Sequence, residues 1–247
     1  MDRREFGQRS IGSLLTISLL ETLFSADAFG EQVKPVTANW LADLNTLGVD
    51  LKGQKLTQLQ WQEKVESLYS LVNLPDLLSF VDFEKLTKDL KFREKGERAI
   101  HPSFPDVEGL PKELVFGNQM FAMKRGQSVA PHGHNNMATA FLVLSGEFHG
   151  RHYDRLEDLE EHFIIRPTID GTFKPAQYST VSDVKDNIHW FQATSDVGFI
   201  FNIHLLNVDP QMKLNGRVYV DPNGEKLSGG RIRARRLSSK EAYELYG

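Results

Sequence analysis

The sequence predicts a mainly β protein: an antiparallel β-barrel of jelly-roll type preceded by an N-terminal helical segment. Two patterns carry that prediction. From about residue 113 onward, short strand-like runs recur at 115–123, 139–144, 148–153, 163–166, 188–193 and 199–206. Glycines, prolines and aspartates punctuate them, as in an antiparallel barrel or sandwich. Between Thr37 and Leu90, by contrast, apolar residues return at intervals of three and four, the spacing of one helical face. A third observation sets the scale: 247 residues can bury a sizeable core.

Taken in order, residues 1–28 read as an address. Arg3-Arg4-Glu5-Phe6 resembles the twin-arginine export signal, an apolar stretch fills 11–20, and Ala26-Asp27-Ala28 fits a small-x-small cleavage site. The apolar stretch is too short to span a bilayer. Export to the periplasm, or otherwise out of the cytoplasm, is therefore expected, with the export machinery as one partner. Residues 29–112 form the helical segment and a proline-rich connection. Within them 29–36 read as a linker. A first helix follows, with Trp40, Leu41, Leu44 and Leu47 as its stripe, Thr37 as its cap and Gly48 as its stop. A second carries Trp61, Val65, Leu68, Tyr69 and Val72 behind Thr57, and Pro75 suits the first turn of a third. A last short one uses Phe83, Leu86 and Leu90. These stripes predict a small helical cap on the barrel. Residues 113–247 are assigned to the barrel with a C-terminal extension, in which Arg231, Arg233 and Arg235 alternate as a solvated strand face. Ser238 and Glu241 have capping-box spacing for a final helix.

Composition excludes some chemistry. A formal net charge of −4 with mixed signs argues against a general nucleic-acid binder. The chain has no cysteine, so disulfides, thiolate ligands and a cysteine nucleophile are all excluded. Any metal site must be built from imidazole and oxygen.

Such a site is suggested by the stretch from Gly126 to Gly146. His132 and His134, two apart, project from one side of an extended strand, because strand side chains alternate. Their setting resembles the first motif of the cupin superfamily: Gly126, five residues, His132-x-His134, four residues, an acidic position, six residues, Gly146. The acidic position is Thr139 here. His189 falls where the second cupin motif would supply a ligand, although that motif's Pro, Gly and Asn positions hold Val184, Asp186 and Ala193. The resemblance covers roughly residues 113–208. It implies a cupin barrel in which His132, His134 and His189 hold one divalent transition metal.

A three-histidine set lacking the acidic ligand resembles the thiol dioxygenase branch, where iron leaves adjacent positions for substrate and oxygen. The resemblance thus implies Fe(II) and an oxygenase of a small molecule. Ligand type alone leaves Zn, Ni, Mn and Cu open, and a non-catalytic small-ligand-binding cupin, or an isomerase or lyase on a sugar or acid, is the alternative. Losing the carboxylate raises the charge of the centre by one and favours an anionic substrate group. The partners expected are a small-molecule substrate or ligand and a second copy in a homodimer. Histidine ligands need their second ring nitrogen tied down, which points to nearby Thr and Asn side chains.

Register arithmetic adds two expectations. A tight hairpin at Ser145-Gly146 sets Thr139 opposite His152 and Phe141 opposite Gly150. His152 then enters the slot left by the missing acid, as a ligand or an acid–base group. A hairpin at Ser195-Asp196 sets Asn202 opposite His189. Thr139 and Asn202 are accordingly the candidate residues around the cofactor. His149 should point the other way, and His101 and His162 have no motif around them.

Overall fold

The computed structural model describes residues 26–213 and 216–247. Residues 1–25, which hold most of the export-signal reading, lie outside the described residues.

Among the described residues four helices come first: α1 (Ala26–Lys52), α2 (Gln58–Tyr69), α3 (Leu74–Phe80) and α4 (Phe83–Thr87). α1 differs from expectation at both ends. It runs through 29–36 in place of a linker, and through Thr37 and Gly48 in place of a cap and a stop. Thr37 is buried within it. Gly48 marks a close approach: a Cβ there would stand 2.8 Å from Val115 Cγ2 and 3.1 Å from a Leu205 methyl. A glycine required for packing carries the same letter as one that ends a helix. α2 begins as expected, with Gln60 N–H donating to Thr57 Oγ1 (3.2 Å) and Thr57 N–H donating to Gln60 Oε1 (2.9 Å). α3 has Pro75 in its first turn. No helix among the described residues is long and apolar enough to cross a membrane.

Among the described residues, eleven antiparallel strands form two sheets. One is five-stranded, in the order β1 (Arg98–Ile100), β2 (Gly117–Lys124), β9 (Val197–Leu206), β4 (Met137–Ser145), β7 (Tyr178–Val181). The other closes on itself as a barrel: β10 (Gly216–Lys226), β11 (Ile232–Leu237), β6 (His162–Phe173), β5 (Phe148–Asp158), β8 (Ile188–Ala193), β3 (Ser128–Asn135). A last helix, α5 (Ser239–Tyr246), starts with the expected Ser238–Glu241 capping box and packs beside Ala130 and Tyr219. The mainly β, cupin-type barrel with an N-terminal helical segment is therefore the fold. On β11, Arg233 and Arg235 are exposed, and with Arg231 they pair with Glu225, Glu241 and Glu157: this is the solvated face expected.

The two predicted hairpins do not form. β4 pairs with β7 and β9, and β5 pairs with β6 and β8, so the chain changes sheets between them. Gly146 turns the corner at φ +78°, where a Cβ would lie 2.4 Å from the Val197 carbonyl oxygen. Thr139 faces Val181 and His204 rather than His152. Phe141 faces Ser179 and Asn202 rather than Gly150. His152 faces His189 and Ile169, and Asn202 faces Gln119 and Phe141 rather than His189. A Ser-Gly turn serves a sheet-switching corner as well as a hairpin, and only long-range pairing separates the two.

Strand alternation then builds the layers. On β4, Ala138, Ala140, Leu142 and Leu144 join Phe199, Phe201, Ile203 and Leu205 of β9 under the helices, with Trp40, Leu44 and Trp61. The intervening residues, among them Phe141, Val143, Ile200 and Phe121, face inward and meet Phe191 and Val129 of the other sheet. Between those sheets lies the site.

Candidate metal centre

His132 and His134 stand on β3, and the register of the β3–β8 pair puts His132 directly opposite His189. A bulge between Val129 and His132 sets their direction. It lets Val129 contribute to the inter-sheet core while Ala130 packs beneath α5, and the inward phase resumes at His132. The residue between the two histidines must be glycine for a local reason: a Cβ on Gly133 would lie 2.4 Å from Asn187 Oδ1 and 3.0 Å from Ile188 Cγ1. Asn187 holds the strand, its Nδ2 donating to the carbonyls of His134 (2.9 Å) and Ser182 (3.0 Å).

The three rings converge. Their centroids are 4.9 Å (His132–His134), 4.2 Å (His132–His189) and 4.9 Å (His134–His189) apart. One nitrogen from each lies within 4.8 Å of the others, and all three residues are buried. The second ring nitrogens are occupied. His132 Nδ1 donates to the Ala130 carbonyl (2.8 Å) and His189 Nδ1 to the Asn187 carbonyl (3.2 Å). Thr139 Oγ1 lies 3.4 Å from His134 Nδ1. That arrangement leaves Nε2 free, and in His134 and His189 the Nε2 atoms are buried without any protein partner. Orphaned buried acceptors are costly. A metal ion would satisfy both, with each ring oriented through its other nitrogen.

The electrostatics agree. Burial, with the nearby Arg217 charge, lowers the pKa of His134 to about 3. Burial holds His132 and His189 well below the ordinary histidine value. All three are neutral imidazoles at physiological pH, the form that binds metal.

A cavity of about 100 Å³ opens above them. Met137, Phe141 and Leu206 form apolar wall, and Thr139 and Asn202 line it as well, so both candidate cofactor-adjacent residues do reach the site. Asn202 arrives from a different register than expected. No carboxylate is among the lining residues, and the position where the motif carries an acid is held by Thr139.

His152 is also buried, but it is not one of the three clustered histidines and does not line the cavity. Its ring lies 6.3 Å from that of His189 and is packed by Phe191 (5.4 Å) and Phe173 (6.0 Å). Ser179 Oγ is 3.5 Å from its Nε2, its Nδ1 has no partner, and burial lowers its pKa to about 3. His149 does turn outward, to Asp170, and His101 sits exposed in a loop.

Sequence reasoning passed over Asn187, Gln119, His204 and Arg217, the last three of which line the cavity. His204 was within reach, since it follows Asn202 by two on the same strand and shares its face. Arg217 had no local signal, because β10 carries no apolar alternation that marks it as a strand of this barrel.

No family model matches the sequence, and no curated protein matches it. Similar solved structures include a cupin superfamily protein of Desulfitobacterium hafniense, 16% identical over 47% of this chain and 84% of that one, with a TM-score of 0.31. Another is an uncharacterized conserved protein with a double-stranded β-helix domain from Klebsiella pneumoniae, 11% identical over 54% of this chain and 87% of that one (TM-score 0.35). Procruciferin, an 11S globulin from Brassica napus, is 14% identical over 38% of this chain (TM-score 0.30), and the match spans 21% of procruciferin's length. TM-scores of this size bear on neither function nor fold. The barrel assignment rests on the strand order and the histidine geometry.

Proposed function

We propose that the protein is an Fe(II)-dependent oxygenase of a small molecule. The observation that carries this reading is the convergence of three neutral imidazoles, with no carboxylate, on the floor of a small cavity. Fe(II) bound there would supply open coordination positions for substrate and dioxygen. The chain's own contribution is to orient the rings and to wall the cavity. The Ala130 and Asn187 carbonyls fix two ring orientations, and Thr139 sits against the third. Met137, Phe141 and Leu206 give the cavity its apolar wall beside the metal-facing nitrogens. At about 100 Å³ the cavity suits a small substrate. Export by the twin-arginine route, which carries folded proteins, accords with a metal loaded before transport. The site of action is then the periplasm or another exported location.

Elemental analysis of protein purified without added metal tests the site. About one divalent metal per chain is expected, falling to little in His132→Ala and in His134→Ala. Full occupancy in the double variant would refute the site. The iron form should consume oxygen with a suitable substrate. A zinc-only protein that binds ligand and leaves oxygen untouched would make it a binding cupin instead.

A further inference from the structure

Three polar side chains of α2 reach the sheet that backs the cavity. Gln58, Gln62 and Glu66 recur every four residues and share one helical face, beside the Trp61, Val65 and Tyr69 strip that packs in the core. Gln62 is 1% exposed. Its Nε2 donates to the Thr180 carbonyl (3.1 Å) and to Thr180 Oγ1 (3.2 Å), and Ser182 Oγ donates to its Oε1 (2.7 Å). Thr180 Oγ1 donates in turn to Glu66 Oε1 (2.5 Å). One helical turn earlier, Gln58 Nε2 donates to Asp183 Oδ2 (3.0 Å) and accepts from the Asp183 N–H through Oε1 (2.8 Å).

Most of these contacts end on the turn between β7 and β8, residues 182–187. That turn needs holding, since Asp186 sits at φ +55°, a left-handed conformation unfavourable for a residue with a Cβ. At its far end Asn187 Nδ2 donates to the carbonyls of both Ser182 and His134, and the Asn187 carbonyl accepts from His189 Nδ1. Asp183 Oδ1 also accepts from the N–H of Asn136, just past β3 (3.0 Å). A continuous run of hydrogen bonds therefore joins α2, through Ser182 and Asn187, to two of the three clustered histidines. Packing alone would be served by an apolar residue at position 62, as at 61 and 65. A buried amide is costly unless its donors and acceptor are met, and here they are. What a satisfied polar network adds is direction: it fixes one arrangement where apolar surfaces can slide.

We infer that α2 positions the metal centre. Gln62, with Gln58, sets the 182–187 turn, and Asn187 passes that setting to the strand of His134 and the ring of His189. Gln62 is thus a positioning residue some distance in sequence from every ligand. The inference rests on reading the histidine triad as a metal site.

Hydrogen–deuterium exchange of the metal-free full chain, read in peptides covering 182–187, tests the link from α2 to the turn. Competition for zinc against a chelating indicator tests the link to the histidines. Gln62→Leu keeps the volume and removes the hydrogen bonds. It should speed exchange in 182–187 about tenfold, as for a lost hydrogen bond, and weaken zinc binding about tenfold, as for a lost outer partner of metal ligands. Gln58→Ala, at the half-buried start of the helix, should do the same in smaller measure and decides the matter if the leucine variant does not fold. Val65→Ala, on the apolar strip of the same helix, should lower the melting temperature and leave both readouts at their wild-type values. Wild-type exchange across 182–187 in both glutamine variants, faster exchange with zinc affinity unchanged, or an equal response in Val65→Ala would overturn the inference. A wild-type chain that takes up no zinc would refute the metal reading, and exchange in the metal-free protein would still decide whether α2 sets the turn.

Discussion

Metal-free protein should lose several kcal/mol of stability between about pH 7.5 and about pH 5.5. His132, His134, His152 and His189 are 0–3% exposed, and burial lowers the pKa of each. In the folded chain they stay neutral across that window, with His134 and His152 near 3. In the unfolded chain each titrates near the ordinary value of ~6.5. Acid therefore protonates the unfolded state first, and stability falls as pH falls. At about pH 5.5 each unfolded histidine is some 90% protonated, worth roughly 1.4 kcal/mol, and four of them give about 5–6 kcal/mol. Burial raises the pKa of Glu97, Asp183 and Asp186, which acts in the opposite sense, and lowers that of His204, which adds to the loss. A loss of this size approaches the whole stability of an ordinary domain, about 5–15 kcal/mol. Urea unfolding of metal-free protein at the two pH values, read as midpoints at constant m, measures it directly. Saturating zinc should restore most of the loss, because metal and proton compete for the same nitrogens. An unchanged midpoint across the window would show that these histidines are not buried neutral, and would undo the electrostatic account of the site.

Gly133→Ala should cost about 2–3 kcal/mol, lower the melting temperature by roughly 5–10 °C and weaken metal binding, since Asn187 Oδ1 stands in the way and the side chain is held there by two hydrogen bonds from Nδ2. A melting curve matching wild type would show that Asn187 can move aside. His152→Gln should keep the metal and lower the melting temperature, since the ring is buried outside the cavity against Phe173 and Phe191. Loss of metal would instead make His152 a ligand, and a turnover whose pH dependence shifts would make it an acid–base group. Replacing Arg3 and Arg4 by lysine should hold the protein in the cytoplasm, as fractionation with an N-terminal sequence would report. Unchanged export would refute the twin-arginine reading.

The parts legible in the sequence are those where chemistry is local. His132 and His134 are two residues apart on one strand, so their common direction follows from alternation. The Thr57 and Ser238 capping boxes close within three residues. What was illegible depends on pairing across the fold. The Ser145-Gly146 corner looks like a hairpin because both need a residue comfortable at positive φ, and nothing nearby says that β4 will pair with β7 and β9. His152 was expected opposite Thr139 and instead pairs with His189 across β5 and β8. Gly48 and Gly133 are glycines because of contacts distant in sequence, with Leu205 and Asn187. Arg217 becomes visible only when β10 lies against β3.

The helical layer has a practical bearing on dividing this chain. A cut before residue 113, at the boundary that composition suggests, would remove β1 from the edge of the five-stranded sheet and keep the other strands. It would also bare one face of the five-stranded sheet, where Ala138, Ala140, Leu142, Phe199, Phe201, Ile203 and Leu205 lie side by side. Exposed apolar sheet of that extent precipitates, and it would lie one strand's thickness from the cavity that Thr139, Phe141 and Asn202 line. The helices are then less an appendage than the solubilising back of the strands that shape the site. A fragment meant to isolate the histidine centre should begin upstream of α1.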